Sequence, residues 1–336
     1  MKKWLALTMA LLALSAGMLL AKGQEEYPAR DITDVVVWAA GGGTDLCNRI
    51  VTAEMAKIMK VNINVVNKTG GVGGSVGMSY VYKDQPHDGY TIAGVSESCV
   101  TAGVQGGFDK RMNVWYYFII GGSPDVVSIT PNLPYQSLKD LIEAAKAAPG
   151  SIKAGASASG SIHHLNLLAL EMGSGAKFNF IPYTGSAPAQ TAAMTGEVNV
   201  VITSIAEQNQ LLASGKLRSL AMLIPTAFEF GGKKIPSGFD AYPGLSKYLP
   251  IIQAIGMAVP ADTPEQVKAV LVEAFKKALQ TEPVKKWTSE NFYNVSGKTG
   301  KEATDEFNRL ESLFAWTLWD LKAAKIDPAT LGIPKP

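Results

Sequence analysis

Cysteine and histidine are scarce: two and three, respectively, in 336 residues. Two cysteines cannot build a disulfide scaffold, and neither a CxxC pair nor Cys/His zinc spacing is present. No sign of charge dominates, because 31 Lys and Arg face 29 Asp and Glu, a formal net of +2. That balance gives no electrostatic case for nucleic acid or an anionic membrane surface. Beyond residue 20 no apolar run reaches membrane-spanning length. No glycine loop is followed by a Walker Lys-Ser/Thr, and no GxGxxG is satisfied, which argues against phosphoryl transfer. No metal-ligand set and no cofactor motif emerges, and no internal repeat aligns.

What is present starts with an export signal. Lys2 and Lys3 precede an apolar run from Trp4 to Leu20, and Ala21-Lys22-Gly23 offers small residues for cleavage. No cysteine lies near that point, so a lipid anchor is not expected. Removing residues 1–23 takes away Lys2, Lys3 and Lys22 and no acid, which moves the formal charge from +2 to −1. Any anion held by the mature chain must therefore be held by local groups. With 47% hydrophobic and 18% charged residues, the remainder is an ordinary globular chain, long enough for two domains.

The stretch Val35–Asp45, VVVWAAGGGTD, organises the first half. Three valines read as a buried strand, Gly41–Gly43 as a bare loop, and Thr44 or Asp45 as the cap of a helix from Leu46 to about Lys60. A strand, a bare loop and a helix N-terminus together suit an anion. Strands at 61–67 and Tyr90–Val95, with a second glycine-rich loop at 68–77, complete a strand–helix alternation. That alternation predicts a parallel sheet with ligands at its carboxyl ends. Further strands are expected at Trp115–Gly121 and Val126–Thr130. A helix follows from Ser137, with Asp140 completing a capping box. A second set runs through strands at Lys153–Ala156, Phe178–Pro182, Val198–Ile202 and Leu217–Leu223. Residues 225–250 read as irregular surface chain. A strand at Ile251–Val259 precedes a helix capped by Thr263 with Pro264 first. A last helix, about Lys301–Ala324, places Phe307, Leu310, Phe314, Leu318 and Leu321 on one core face.

Four junctions share one design, with small and hydroxyl residues ending a strand and opening a helix. They are Ala40–Asp45, Ser96–Ser98, Ser157–Ser161 and Thr184–Ser186. Facing one another across a cleft, they would supply donors for a small ligand with carboxylates at both ends. Glu97 stands out among them, since a carboxylate there repels an anion. It either turns away or pairs with a lysine, or it takes an ammonium group or a cation. Cys47 and Cys99 each lie just after a strand, and their sulfurs could meet if those strands are neighbours, so a disulfide and two separate buried thiols both remain open. His164 opens a helix and reads as a ligand donor or a cap partner, while His163 and His87 read as structural or surface residues. Gly73-Gly74-Ser75-Val76-Gly77 matches GxSxG between a strand and a helix. A hydrolase built on Ser75 requires its hydroxyl within hydrogen-bond reach of a histidine.

AAGGGTDLCNRI, residues 39–50, is similar to a stretch of the tripartite tricarboxylate transporter receptors, the Bug family of periplasmic solute-binding proteins. Asn67-Lys68, Asp88-Gly89-Tyr90-Thr91, Gly160-Ser161-Ile162-His163-His164-Leu165, Pro182 through Ala189, Gly215-Lys216-Leu217-Arg218 and Val259 through Pro264 follow in family-like order. The resemblance implies an α/β periplasmic-binding-protein fold of type II-like form. Each of its two lobes would be a mostly parallel sheet flanked by helices, with the ligand between them. Residues 24–129 and 251–336 would form one lobe and 130–250 the other. It also implies a monomeric, non-enzymatic receptor in the periplasm that delivers a small di- or tricarboxylate to a two-subunit membrane permease. A receptor of the same fold that signals to a membrane sensor kinase is the alternative. Carried over, the ligand carboxylates would be held by Gly42, Gly43, Thr44, Asp45, Gly160, Ser161, His164, Gly185 and Ser186. Ala40, Ser96, Glu97, Ser98, Ser159 and Tyr183 would flank them. Three departures mark this chain: Trp38 stands where the family usually has Phe, Thr184 where it has Lys, and Thr203 where it has Asp.

Overall fold

The computed structural model describes residues 27–336, so the expected export signal at 1–23 lies outside the described residues. Two sheets carry the fold. The first has the order β13-β4-β12-β3-β1-β2. Its members are β1 (Ile32–Val36), β2 (Ile63–Asn67), β3 (Thr91–Ser96), β4 (Trp115–Gly122), β12 (Ile255–Pro260) and β13 (Asn294–Thr299). The second has the order β7-β6-β8-β5-β9. It is built from β5 (Asp125–Ile129), β6 (Lys153–Ala156), β7 (Asn179–Pro182), β8 (Val200–Ser204) and β9 (Arg218–Met222).

The expected strand–helix alternation produces the parallel trio β2-β1-β3 and the parallel trio β7-β6-β8. Neither sheet is parallel throughout, however. β12 runs antiparallel to both β3 and β4, β13 is antiparallel to β4, and β5 is antiparallel to β8 and β9. The reason is connectivity. β12 re-enters the first sheet after the chain has passed through the second, and is not reached by a right-handed helical crossover.

The crossings also move the expected division. β5 lies in the second sheet, so the chain leaves the first sheet between Gly122 and Asp125, not at residue 129. The return segment passes beside this exit, where Ser123 N–H donates to Gln253 Oε1 at 3.0 Å. A Cβ on Gly122 would lie 2.2 Å from the Gln253 carbonyl oxygen, so only glycine allows the two crossing segments to meet.

Several local expectations shift. The first helix is Gly43–Met59 and its N-cap is Gly42, with Thr44 and Asp45 already inside its first turn. The helix after β12 is Glu265–Leu279 with Pro264 at the cap position, so Thr263 is not its cap. Ser137 caps Leu138–Ala147 through the predicted capping box. Residues 225–250 contain a hairpin, β10 (Phe228–Phe230) paired with β11 (Lys233–Ile235), and a short helix at Gly238–Ala241. The sequence reading does not place the helix Glu282–Glu290 or the edge strand β13, whose residues are polar and partly exposed. The last helix is Gly300–Asp320. Phe307, Leu310, Phe314 and Leu318 are buried along it, whereas Leu321 lies just past its end and is only partly buried.

Core residues cover both faces of the first sheet. Cys99 lies in the cluster with Tyr117, Phe307 and Phe314, while Cys47 lies in the cluster with Phe118, Met257 and Phe275. Strand neighbours such as Tyr117 and Phe118 point to opposite faces, so the two thiols sit on opposite sides of the sheet. Both are free and buried, so of the two open readings the separate buried thiols hold and the disulfide does not form. Burial raises the pKa of each.

Candidate functional site

The glycine loop after β1 is held shut by Asp45. Its carboxylate accepts from Gly41 N–H at 2.9 Å, Arg49 Nε at 3.0 Å and Asn67 Nδ2 at 2.9 Å. Burial acts to raise the Asp45 pKa, but the bonds from Arg49, Gly41 and Asn67 reverse this and hold it below the usual carboxylate range. Asp45 thus shapes the loop and is not free for a ligand. The loop leaves the N-terminus of Gly43–Met59 without a side-chain cap. In the second lobe, Ser186–Thr195 also begins without one, after Gly185. Each helix therefore leaves first-turn N–H groups with no intrahelical acceptor.

Both N-termini line one small cavity, together with Trp38, Thr44, Ser96, Glu97, Ser98, Ser157, His163, Glu207, Gln253 and Ile255. Trp38 also borders a larger, more open groove, which takes in Ser159, Tyr183 and Thr184. Of the sequence-predicted residues, Trp38, Gly42, Gly43, Thr44, Ser96, Glu97, Ser98, Gly185 and Ser186 line the cavity. Ala40, Asp45, Gly160, Ser161, His164 and Thr203 line neither space.

The absent ones have structural work. Ser161 is fully buried and caps Ile162–Ser174 by accepting from His164 N–H at 3.2 Å. His164 Nδ1 accepts from Gly160 N–H at 3.0 Å, and its ring stacks on Phe180 at 4.0 Å. Burial lowers the pKa of that imidazole to about 4, so it is neutral. Thr203 is fully buried and accepts from Gln190 Nε2 at 2.9 Å. The indole N–H of Trp38 is donated to Ser96 Oγ at 3.2 Å.

The neighbouring His163 faces the cavity instead. Its Nδ1 is 2.8 Å from Asp125 Oδ2, and Nε2 is 3.5 Å from Glu207 Oε2. Burial pulls its pKa down, but Asp125, Glu207 and Glu97 more than offset this and raise it to about 9. The imidazolium is the one cation among the lining residues. Glu207 joins the lobes. Its Oε1 accepts from Gly43 N–H at 2.7 Å, while Oε2 accepts from Ser204 N–H at 3.0 Å and Ser204 Oγ at 2.9 Å. Ser98 makes a second bridge, since its hydroxyl accepts from Ile162 N–H at 2.9 Å.

Glu97 accepts from Ala254 N–H at 2.6 Å and from Ser98 Oγ at 2.8 Å. Burial raises its pKa against those bonds. It faces the cavity and does not turn away. Sequence reasoning missed Glu207, Gln253 and Ile255, and assigned His163 to structure. The Ser204-x-x-Glu207 capping pattern was legible, but the second oxygen's reach across the cleft was not.

The hydrolase geometry does not form. His87 bonds Asp262 and the Tyr82 carbonyl, His163 bonds Asp125, and His164 bonds Gly160, so Ser75 holds none of the three.

Close packing at the bridge yields a prediction. A Cβ on Gly43 would lie 2.9 Å from both Glu207 Oε1 and Tyr293 OH. Gly43→Ala is expected to lose the Gly43–Glu207 bond and about 1–3 kcal/mol of stability. Urea unfolding measures this, and an unchanged midpoint would show that the lobes do not bear on each other here.

The receptor-family model for the tripartite tricarboxylate transporter matches residues 47–314. Protein BugT of Bordetella pertussis is 30% identical over 235 residues, covering 65% of this chain and 71% of BugT. A solved periplasmic transporter is 26% identical with a TM-score of 0.81, covering 89% of this chain and 99% of that one. MatC from Rhodopseudomonas palustris, solved with malate, is 22% identical with a TM-score of 0.76, covering 86% and 100%. The two-lobed fold, the cleft and the family match converge, and the chain belongs to the receptor family of the tripartite tricarboxylate transporters.

Proposed function

We propose that this chain is an exported, non-catalytic receptor that closes its lobes on a small organic acid and delivers it to a two-subunit membrane permease. The observation that carries this reading is the pair of helix N-termini, at Gly43 and Ser186, that line one cavity from opposite lobes, each without a cap from its own N-cap residue. First-turn N–H groups and the positive end of the helix dipole suit a carboxylate. The hydroxyls of Thr44 and Ser186 stand beside them. Malate in MatC, a protein of the same fold, is a ligand of this class. No described helix is long and apolar enough to cross a membrane, consistent with a receptor that docks on a separate permease.

A thermal-shift screen over organic acids and amino acids tests the reading. A ligand at a hundred times its Kd stabilises the fold by about 2.7 kcal/mol, so at least one small carboxylate is expected to raise the melting temperature by several degrees. Thr44→Ala combined with Ser186→Ala is expected to weaken that ligand at least about tenfold, from the loss of two hydroxyl hydrogen bonds. A flat screen across the whole panel would sink the carboxylate reading.

A further inference from the structure

We propose that the cleft is built for a carboxylate that also carries a protonated amine, an amino acid or a close relative, with Glu97 as the ammonium acceptor. This rests on the carboxylate-receptor reading and narrows it.

The lining holds both signs of charge, and the negative sign prevails. Its ionisable members are Glu97, Glu207 and His163, with neither Lys nor Arg among them. Behind His163 stands Asp125, also buried. A ligand with two carboxylates would add two negative charges to this set. An ammonium group would remove that conflict at one end.

One place for an anion is already filled by the chain itself. The Glu207 carboxylate takes Gly43 N–H at 2.7 Å and lies 3.5 Å from His163 Nε2. It therefore occupies both the first helix terminus and the cavity's cation, where a second ligand carboxylate would need to bind. The donors left over belong to the next positions of the first helix and to the start of Ser186–Thr195. That is provision for one carboxylate.

The cavity also offers acceptors. Glu97 is 1% exposed and lines the space. Each of its oxygens receives one hydrogen bond, from Ser98 Oγ and from Ala254 N–H. A carboxylate has about four acceptor positions, so two are unused. Its partners are a hydroxyl and a backbone amide, with no Lys or Arg among the ion pairs formed by the described residues. The His163 imidazolium acts on Glu97 through space, with no hydrogen bond between them; a buried carboxylate with no bonded cation is costly, and a ligand ammonium would supply that bond. The Ser157 hydroxyl lines the same space as a further acceptor.

Matched probes test this by isothermal calorimetry at pH 7.5: L-aspartate against succinate, L-glutamate against glutarate, and L-alanine against propionate. In at least one pair the amine-bearing member is expected to bind at least about tenfold tighter, the scale of one charge-assisted hydrogen bond. Glu97→Gln is expected to bring that ratio to within about threefold of unity. Should the variant fail to fold, the wild-type ratios alone decide. Acids that bind as tightly as their amine-bearing partners would overturn the inference and leave the carboxylate reading standing. A folded Glu97→Gln variant with an unchanged ratio would overturn Glu97's part. If no probe of either class binds, the carboxylate reading fails and this inference fails with it.

Discussion

His163→Ala is expected to lose about 3–5 kcal/mol of folding stability, the usual cost of leaving a buried charge without its partner. It is also expected to weaken ligand binding. Asp125 is buried, and its Oδ2 takes His163 Nδ1 at 2.8 Å and Asn166 Nδ2 at 2.6 Å, while Oδ1 has no partner. Without the imidazolium, Asn166 alone remains to Asp125, and Glu207 loses the one cation near it. The effect has a pH signature. The folded pKa, raised to about 9 from 6.5, lies above the unfolded one. The stabilisation is therefore fully present below about pH 6.5 and is lost as pH rises through 9. Urea titrations of both proteins at pH 6, 7.5 and 9.5 should show a gap that narrows with rising pH. A gap that stays constant would mean the imidazole acts by packing alone.

Substitution is expected to have the opposite effect on stability at Asp34, whose pH dependence runs the same way. This residue sits in β1, is fully buried, and neither carboxylate oxygen has a hydrogen-bond partner. Burial pushes its pKa up from 3.8 to about 8, Asp45 adds to the rise, and Arg49 opposes it. The folded chain thus keeps a proton that the unfolded chain releases above about pH 4. Stability falls as pH rises from about 4 to 8 and levels off beyond. Asp34→Asn removes this titration with little change of shape. At about 1.36 kcal/mol per pKa unit, the variant is expected to gain on the order of 5 kcal/mol at pH 7.5 and little at pH 4. Melting temperatures between pH 4.5 and 8 measure it. Parallel curves for the two proteins would show that Asp34 is not the group responsible. Nothing in the structure explains why a carboxyl stands at this position.

The local features were legible because their causes are local. A hydroxyl three residues before an acid is a capping box, and Ser137–Asp140 formed one. Apolar residues at helical spacing gave the buried face of the last helix. Glycine and hydroxyl residues between strand and helix marked two helix N-termini that line the cavity. What misled was adjacency. His163 and His164 are neighbours in a helix, so their side chains point about 100° apart. Sequence favoured the one that became a buried cap partner over the one that faces the cleft.

The sequence by itself determined the strand–helix alternation, the helix-start loops and the family pattern. These follow from backbone propensity, capping chemistry and short motifs, each contained within a few residues. Tertiary structure alone decided four things. The sheets became mixed because β12 returns from the second lobe. β5 crossed to the second sheet. Cys47 and Cys99 came to lie on opposite faces of the first. Glu207, 164 positions from Gly43, reached its amide. Each depends on where distant segments meet, and pairing of residues so far apart leaves no periodicity or spacing in the chain from which it could be read.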